Sequence, residues 1–263
     1  MTVILACAWQ PRGELPRLQR YWSRLQDIYS GFAVSIKRCT DEESAAWLHE
    51  NGVTVAEYDD WSGRHTVLRA ALSLDGGHIQ YCDLDRMIRW VETRPDELHD
   101  SVEKLQAVDC MIFGRTEQAY LTHPRALHET EKVPNAMFSY WFGREMDLCA
   151  GSKGFSRVAA EYVLAHSVDT DALRMDVEWP VLLKRAGFSW DYAEVDGLDW
   201  ESADQFQDVA SDQARQQKIA EAYDEKVKSW SLRVTVSQKL TTAGLDAFAR
   251  PLQTTGNDPL PYI

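Results

Sequence analysis

Apolar and polar positions alternate in blocks along the first part of the chain. Residues 3–9 form a continuous apolar run, which is typical of a strand buried on both faces of a sheet. From Leu15 to Ile28, apolar residues recur at spacings of three and four, which predicts an amphipathic helix that Gly31 terminates. The same reasoning predicts strands at 32–36 and 53–58 with a helix between them. This order implies parallel pairing with right-handed crossovers, as in a doubly wound α/β sheet.

The rest of the chain continues the alternation. A helix is predicted from Gly63, followed by a strand from Ile79 that ends in Asp83 and Asp85. A helix from Pro95 to about Gln106, a strand at 109–113 and a helix from Ser156 come next. An apolar helix after Pro180, a strand at 189–195, a charged helix at about 212–230 and a further segment at 234–248 complete the prediction. Prolines interrupt residues 116–140, so this stretch is predicted to be a loop-rich excursion over the sheet. We expect an α/β domain at 1–202 and a helical C-terminal extension at 203–263, packed on or beside it and ending in an irregular tail.

Composition narrows the class of protein. With 263 residues and 44% hydrophobic content, the chain can bury a substantial core. Its formal net charge is −13, from 41 acidic and 28 basic residues. This acidic balance argues against nucleic acid or an anionic membrane surface as the main partner. Five scattered cysteines without C-x-x-C spacing indicate neither a zinc site nor a disulfide framework. Since no apolar stretch is long enough for a transmembrane segment and the N-terminal run lacks a charged start, we expect a cytoplasmic protein.

The pair of carboxylates at Asp83 and Asp85 is the main candidate for chemistry. Both follow a short apolar run, so a buried strand should deliver them to the crevice where open α/β sheets bind ligands. Two carboxylates one residue apart can share a hard divalent cation, which then takes its remaining ligands from phosphate and water. The pair therefore predicts a site for a metal and a diphosphate. The alternative is that both acids only cap and solvate the end of a strand.

Three other segments carry candidate site residues. Arg64 and Arg69 lie near the start of a predicted helix and are suited to binding phosphate or the edge of a uracil-like base. The alternative is that both are surface arginines. Asp176 and Glu178 form a second acid pair, whose alternative role is to stabilise a helix N-terminus. Glycines in the segment 147–157 allow close backbone approach, but neither the G-x-G-x-x-G nor the Walker pattern is present, so no dinucleotide or P-loop site is predicted.

Together these motifs resemble the nucleotide-sugar-dependent glycosyltransferases of the GT-A fold, in particular family 2. The resemblance covers about residues 1 to 200. It rests on four segments in the family's order, which are GRHTVLRAAL at 63–72, YCDLD at 81–85, DLCAGSKGFSR at 147–157 and DVE at 176–178. The implied fold is a mixed sheet flanked by helices.

The resemblance also implies an activity and a set of roles. The expected reaction is the metal-dependent, inverting transfer of a sugar from a nucleoside-diphosphate sugar to an acceptor hydroxyl. Asp85 would hold Mn²⁺ or Mg²⁺, with Asp83 sharing the metal or the ribose, and Glu178 would be the base, with Asp176 as the alternative. The other implied contacts are Trp9, Arg64 and Arg69 to the donor, and Gly151, Ser152 and Arg157 on the acceptor or phosphate side, whereas Lys153 is expected on the surface.

Some features depart from the family pattern. Ala150 stands where serine is common, two residues separate Gly151 from Gly154, and no histidine follows His166 to supply a C-terminal metal ligand. One alternative is an inactive GT-A scaffold that binds a nucleotide or a protein partner. The other is a sugar-1-phosphate nucleotidyltransferase, whose glycine-rich G-x-G-x-R loop is poorly matched by residues 10–13. The sequence does not identify the donor, the acceptor or the oligomeric state.

Overall fold

The computed structural model describes residues 2–38, 40, 42–59, 62–168 and 172–251. Its strands are β1 (Val3–Trp9), β2 (Gly31–Lys37), β3 (Thr54–Tyr58), β4 (His78–Tyr81), β5 (Cys110–Arg115), β6 (Ser152–Ser156) and β7 (Trp190–Val195). Its α-helices are α1 (Leu15–Ile28), α2 (Glu42–Glu50), α3 (Gly63–Leu72), α4 (Leu84–Thr93), α5 (Pro95–Leu105), α6 (Glu117–Leu121), α7 (Arg125–Phe142), α8 (Arg157–His166), α9 (Met175–Arg185), α10 (Gln213–Asp224) and α11 (Val227–Ala249). The expected irregular tail lies outside the described residues.

All seven strands form one mixed sheet in the order β3-β2-β1-β4-β6-β5-β7. Every neighbouring pair is parallel except those of β6, which runs antiparallel to both β4 and β5. From β1 the chain builds outward to β2 and β3, and then returns through α3 to place β4 on the other side of β1. The strand order therefore reverses between β1 and β4, which is where ligands bind in open α/β sheets.

Helices cover both faces of the sheet, because side chains of successive strand residues point to opposite sides. In β1, Ile4 and Ala6 join the core beneath α3, α7, α8, α9 and α11. Val3, Leu5 and Cys7 join the opposite core, beneath α1, α2, α4 and α5. Within the described residues, no helix combines the length and the apolar content needed to cross a bilayer.

The acid pair follows a buried strand, as predicted, but this strand ends earlier than expected and a helix begins within the pair. β4 already ends at Tyr81, Asp83 is the residue immediately before α4, and Asp85 lies in the first turn of that helix. The sequence pattern had predicted a longer strand because Cys82 and Leu84 are apolar. Both are buried, and the Cys82 N–H still bonds the Ala6 carbonyl of β1, but Leu84 is already the first residue of α4.

Two helices, the short α6 and the longer α7, occupy the predicted loop-rich excursion, with an irregular break at residues 122–124 between them. α7 runs for 18 residues with Pro134 inside it. A proline lacks the N–H that would bond the carbonyl four residues earlier, which is that of Thr130. Ser237 Oγ of α11 donates a hydrogen bond to this carbonyl at 2.7 Å. The prediction was wrong because a distant helix satisfies the group that the proline leaves unpaired.

Three other boundaries differ from the sequence prediction. Residues 152–156 form strand β6, whereas only a glycine-containing connection was predicted. The second acid pair and Pro180 lie inside α9, instead of preceding a helix. The C-terminal helices break at residues 225–226, so α11 extends unbroken for 23 residues to Ala249. By contrast, β1, the span of α1, the start of α3, the start of α5 and strand β7 are confirmed.

The C-terminal helix α11 packs tightly against α7 and α9. A Cβ added at Gly244 would lie 2.0 Å from Phe138 Cζ and 2.6 Å from Val177 Cγ1. Leu240 and Ala247 of the same helix are buried in the core that they share with both neighbours. The absence of a side chain at Gly244 therefore allows α11 to approach α7 and α9 this closely.

We predict that Gly244→Ala destabilises the protein by about 1–3 kcal/mol, because overpacking forces helices apart. At an ordinary helical site the same change would stabilise by about 0.5–1 kcal/mol. Urea unfolding measures the free energy, and Thr242→Ala, on the exposed face of α11, is the control. A stabilised Gly244→Ala variant would contradict this packing.

Candidate functional site

A cleft of about 550 Å³ opens at the C-terminal ends of four adjacent strands. Its walls include Trp9 at the end of β1, Lys37 at the end of β2, Tyr58 at the end of β3, and the acid pair that follows β4. The cleft therefore lies over the point at which the strand order reverses. Of the predicted donor-side residues, the structure brings Trp9, Arg64, Asp83 and Asp85 together here.

Asp83 is held in its ionised form by two arginines. Arg64 Nη2 lies 3.2 Å from Asp83 Oδ2, and the Tyr81 hydroxyl donates a hydrogen bond to Asp83 Oδ1. Burial opposes ionisation, yet the positive charges of Arg64 and Arg86 keep the pKa of Asp83 below its ordinary value. Asp83 is thus a negative charge at the mouth of β4 that already has a cationic partner.

The pKa of Asp85 is shifted in the opposite direction to that of Asp83. Burial, together with the negative charges of Glu201 and Asp83, raises the pKa of Asp85 from 3.8 to about 7. Its Oδ1 accepts a hydrogen bond from the backbone N–H of Arg86 at 2.9 Å. A carboxylate crowded by other carboxylates in a cleft gains most from a bound cation.

Arg86 connects this acid pair to the loop before β6. Its Nη1 donates to the Ala150 carbonyl at 2.5 Å, and its Nε lies 3.5 Å from Glu201 Oε2. Gly151 has a φ of +79°, and a Cβ there would lie 3.3 Å from Arg86 Nη1. Gly151 therefore gives the turn its left-handed conformation and leaves room for the guanidinium.

A buried ionic network positions the segment that carries Glu201. Arg89 of α4 contacts both carboxylate oxygens of Asp199 and of Asp204, and also bonds the Ser211 carbonyl. Arg17 of α1 adds a bond to Asp204 at 3.0 Å. All four charged side chains are almost completely buried, so residues 199–211 are fixed against the helix that begins with the acid pair.

The two acids predicted as the base have different surroundings. Asp176 lies behind Arg64, with Arg64 Nη1 3.4 Å from its Oδ2 and Lys153 Nζ 3.1 Å from its Oδ1. Glu178 is completely buried and pairs with Arg250 at 2.9 Å and Arg174 at 3.4 Å. Neither acid lines the cleft, but Arg64, which does, contacts both Asp176 and Asp83.

Four other residues lie away from their predicted positions. Arg69 is exposed on α3 outside the cleft wall, and Ser152 is buried in β6, where its Oγ donates to the Tyr81 carbonyl. Arg157 bonds the carbonyls of Leu72 and Leu74, beside the N-terminal end of β4, which is the end of the sheet opposite the cleft. Lys153, expected on the surface, is completely buried against Asp176.

Several cleft residues were not identified from the sequence. They are Gln10, Arg12, Lys37, Tyr58, Glu201 and Arg233, with Arg86 beside them. Arg86 directly follows the acid pair, Lys37 follows one predicted strand and Tyr58 ends another, so the positions of these three residues could have been inferred from the sequence. Glu201 and Arg233 come from the C-terminal part of the chain, and nothing local in the sequence places them here.

A larger cavity of about 990 Å³ lies beside α7 and the strands β5 and β7. The buried carboxylates beside it are both ion-paired, because Arg115 lies 2.6 Å from Glu131 and 2.6 Å from Asp147. The smaller cleft is the better candidate site, since Asp85 there forms no ion pair with any described residue.

The donor atoms of the cleft suit a hard divalent cation. Elsewhere in the described chain, sets of three ligand atoms within 4.8 Å of one another occur at His99, Asp100 and Glu103, which are exposed, and at Glu131, Asp147 and Cys149, where Arg115 holds both carboxylates. The cleft instead offers separate carboxylates with space between them. Mg²⁺ and Mn²⁺ favour oxygen ligands, and Mg²⁺ typically binds one or two carboxylates plus phosphate and water.

Comparison with known proteins identifies the fold. No protein-family model and no curated protein matches the sequence. The structure of glucosyl-3-phosphoglycerate synthase from Mycobacterium tuberculosis with Mn²⁺, UDP and phosphoglyceric acid is similar, with a TM-score of 0.61 and 10% identity over 96% of this chain and 80% of that one. The same enzyme with Mn²⁺, UDP-glucose and phosphoglyceric acid gives a TM-score of 0.62 and 11% identity, over 96% and 81%. The chain has the GT-A fold that its motifs predicted.

The opposite pKa shifts of the two acids predict opposite pH effects on stability. The pKa of Asp85 is about 7 in the folded protein and ordinarily 3.8, so between these values the folded state binds more protons and stability falls as pH rises. With a chelator present, Asp85→Asn should therefore be more stable than wild type at pH 8, and the difference should shrink toward pH 5.

Asp83→Asn is the matched control, because the lowered pKa of Asp83 means that its ionised form stabilises the fold at neutral pH. This variant should be less stable than wild type at pH 8. Urea unfolding at both pH values measures the two effects, and the same sign for both variants would refute the electrostatic description.

The buried network predicts a large loss of stability in Arg89→Ala. This change leaves Asp199 and Asp204 buried without their main cation, which costs about 3–5 kcal/mol of unfolding free energy. Lys132→Ala removes an exposed partner of Glu129 and should cost less than about 1 kcal/mol. Equal losses in the two variants, measured by chemical denaturation, would show that the network does not stabilise the fold.

Proposed function

We propose that the protein is a metal-dependent glycosyltransferase that moves a sugar from a nucleoside-diphosphate sugar to an acceptor hydroxyl. One observation carries the proposal. The cleft at the switch point of a GT-A fold contains Asp83 and Asp85, and the second of these is short of positive charge. The structural neighbours that hold Mn²⁺ with UDP or UDP-glucose support the same reading.

The donor would lie with its diphosphate beside the acid pair. Asp85 is the main proposed ligand of Mn²⁺ or Mg²⁺, and Asp83 shares the metal or the ribose. The bound ion would supply Lewis-acid stabilisation of the departing diphosphate. Arg12, Lys37 and Arg64 line the same cleft and add positive charge for phosphate, and Tyr58 provides aromatic surface for the nucleoside. Trp9 also borders the cleft, but its side chain is almost completely buried.

For the base we propose Asp176 rather than Glu178. Arg64 joins Asp176 to Asp83, so a diphosphate in the cleft would attract the guanidinium and leave Asp176 Oδ2 available to an acceptor hydroxyl. Glu178 has its carboxylate between two arginines on the other side of α9. Attack from the face opposite the leaving group would invert the anomeric centre.

Thermal unfolding with Mn²⁺ and each of UDP, GDP, dTDP, ADP and CDP tests the donor site. A ligand that binds only the folded state raises the midpoint, so one diphosphate should stabilise wild type in the presence of Mn²⁺ and not Asp85→Asn. UDP is the first to test, and transfer from the matching sugar donor then measures activity. Binding without transfer or donor hydrolysis would favour the inactive scaffold, and no shift with any diphosphate would refute the donor site.

The choice of base is tested by a pair of isosteric variants. Asp176→Asn should lower kcat by about 100-fold or more, because a general base contributes 10²–10⁴. Glu178→Gln should keep kcat near the wild-type value and lower the unfolding midpoint, because it weakens a buried ion pair. Near wild-type transfer by Asp176→Asn, together with loss of transfer in Glu178→Gln, would reverse the assignment.

A further inference from the structure

Glu201 is an acid of the cleft that has one buried oxygen without a hydrogen bond. It begins a short 3-10 helix (Glu201–Asp204), and its side chain is 8% exposed. Oε1 accepts a hydrogen bond from Ser202 at 3.3 Å. Oε2 is buried and has no hydrogen-bond partner, although it lines the same cleft as Asp85.

An unbonded carboxylate oxygen in a buried position is costly, because it has lost water without gaining a donor. The nearest cation, Arg86 Nε, is 3.5 Å away and outside hydrogen-bonding geometry, and its Nη1 is bonded to the Ala150 carbonyl. The sequence nevertheless anchors the segment firmly, since Asp199 and Asp204 on either side of Glu201 are both held by Arg89. The protein therefore keeps this oxygen facing the cleft at a cost in stability.

We infer that Glu201 is a ligand of the divalent cation, supplied from the C-terminal side of the chain to complete the site begun by Asp85. The inference rests on the proposed function, because it concerns the same metal. A hard cation is the partner that an unbonded carboxylate oxygen lacks, and carboxylates are its preferred protein ligands. Arg86, between Glu201 and Asp83, offsets the excess negative charge that three carboxylates create.

The segment that carries Glu201 is attached to the helix that carries Asp85. Asp83 and Asp85 come from the start of α4, and Arg89 lies one helical turn further along the same helix. Because Arg89 holds the segment that carries Glu201, the carboxylates from two distant parts of the chain are fixed to one rigid helix. Rigid placement of ligands lowers the entropy lost on binding a cation.

Binding of Mn²⁺, measured from the free-ion EPR signal with and without UDP, tests this assignment without using activity. Glu201→Gln keeps the size of the side chain but is a weaker ligand, and it should weaken Mn²⁺ binding by about tenfold or more, since even groups that only orient ligands contribute 10–100-fold. Asp208→Asn removes one negative charge from the same segment at an exposed position and should bind like wild type.

Glu201→His adds a variant that separates ligation from charge. Histidine is a neutral metal ligand, so partial recovery of Mn²⁺ affinity relative to Glu201→Gln would support direct ligation. Thermal unfolding in chelator shows that each variant is folded.

Each result has a distinct meaning. Loss of binding in Asp85→Asn and weaker binding in Glu201→Gln, but not in Asp208→Asn, supports the inference. Wild-type affinity in Glu201→Gln, with binding lost in Asp85→Asn, overturns the role of Glu201 and leaves the proposed function intact. If wild type itself binds no Mn²⁺ with or without a diphosphate, both are overturned.

Discussion

The buried ionic network around Arg89 is the interaction on which the cleft depends. One guanidinium holds two carboxylates and a carbonyl from the segment after β7, and Arg17 adds a second cation from α1. Buried ion pairs gain little net stability, but breaking one is expensive. The network therefore acts mainly as a fixed link between the helix that starts with Asp85 and the segment that carries Glu201.

The C-terminal helices contribute to the cleft as well as to the core. Arg233 of α11 lines the cleft, while Gly244 of the same helix allows close contact with α7 and α9. Ser237 bonds the carbonyl that Pro134 leaves without a partner. One helix thus stabilises a proline-containing neighbour, fills the core on one face of the sheet and brings a positive charge to the candidate site.

The fold of this protein and its proposed function rest on different kinds of observation. The GT-A fold is shared with glucosyl-3-phosphoglycerate synthase at only 10–11% identity, and a fold at that distance does not fix a reaction. The proposed chemistry depends instead on local electrostatics, in which Asp83 is ionised beside arginines and Asp85 is crowded by acids. The proposed cation would add positive charge beside Asp85, which forms no ion pair with any described residue.

The sequence by itself determined the alternation of strands and helices in the first part of the chain, several of their boundaries and the position of the acid pair after a buried strand, because hydrophobic periodicity and turn residues act over short distances. It did not determine that Pro134 lies within a helix or that Lys153 is buried, since the partners that make both acceptable are remote in the chain. Glu178 and Asp176 looked equivalent in sequence, yet they project to different sides of α9 and meet different arginines. Only the tertiary structure brought Glu201 and Arg233 to the cleft, because contacts between segments far apart in sequence leave no local pattern from which they could be predicted.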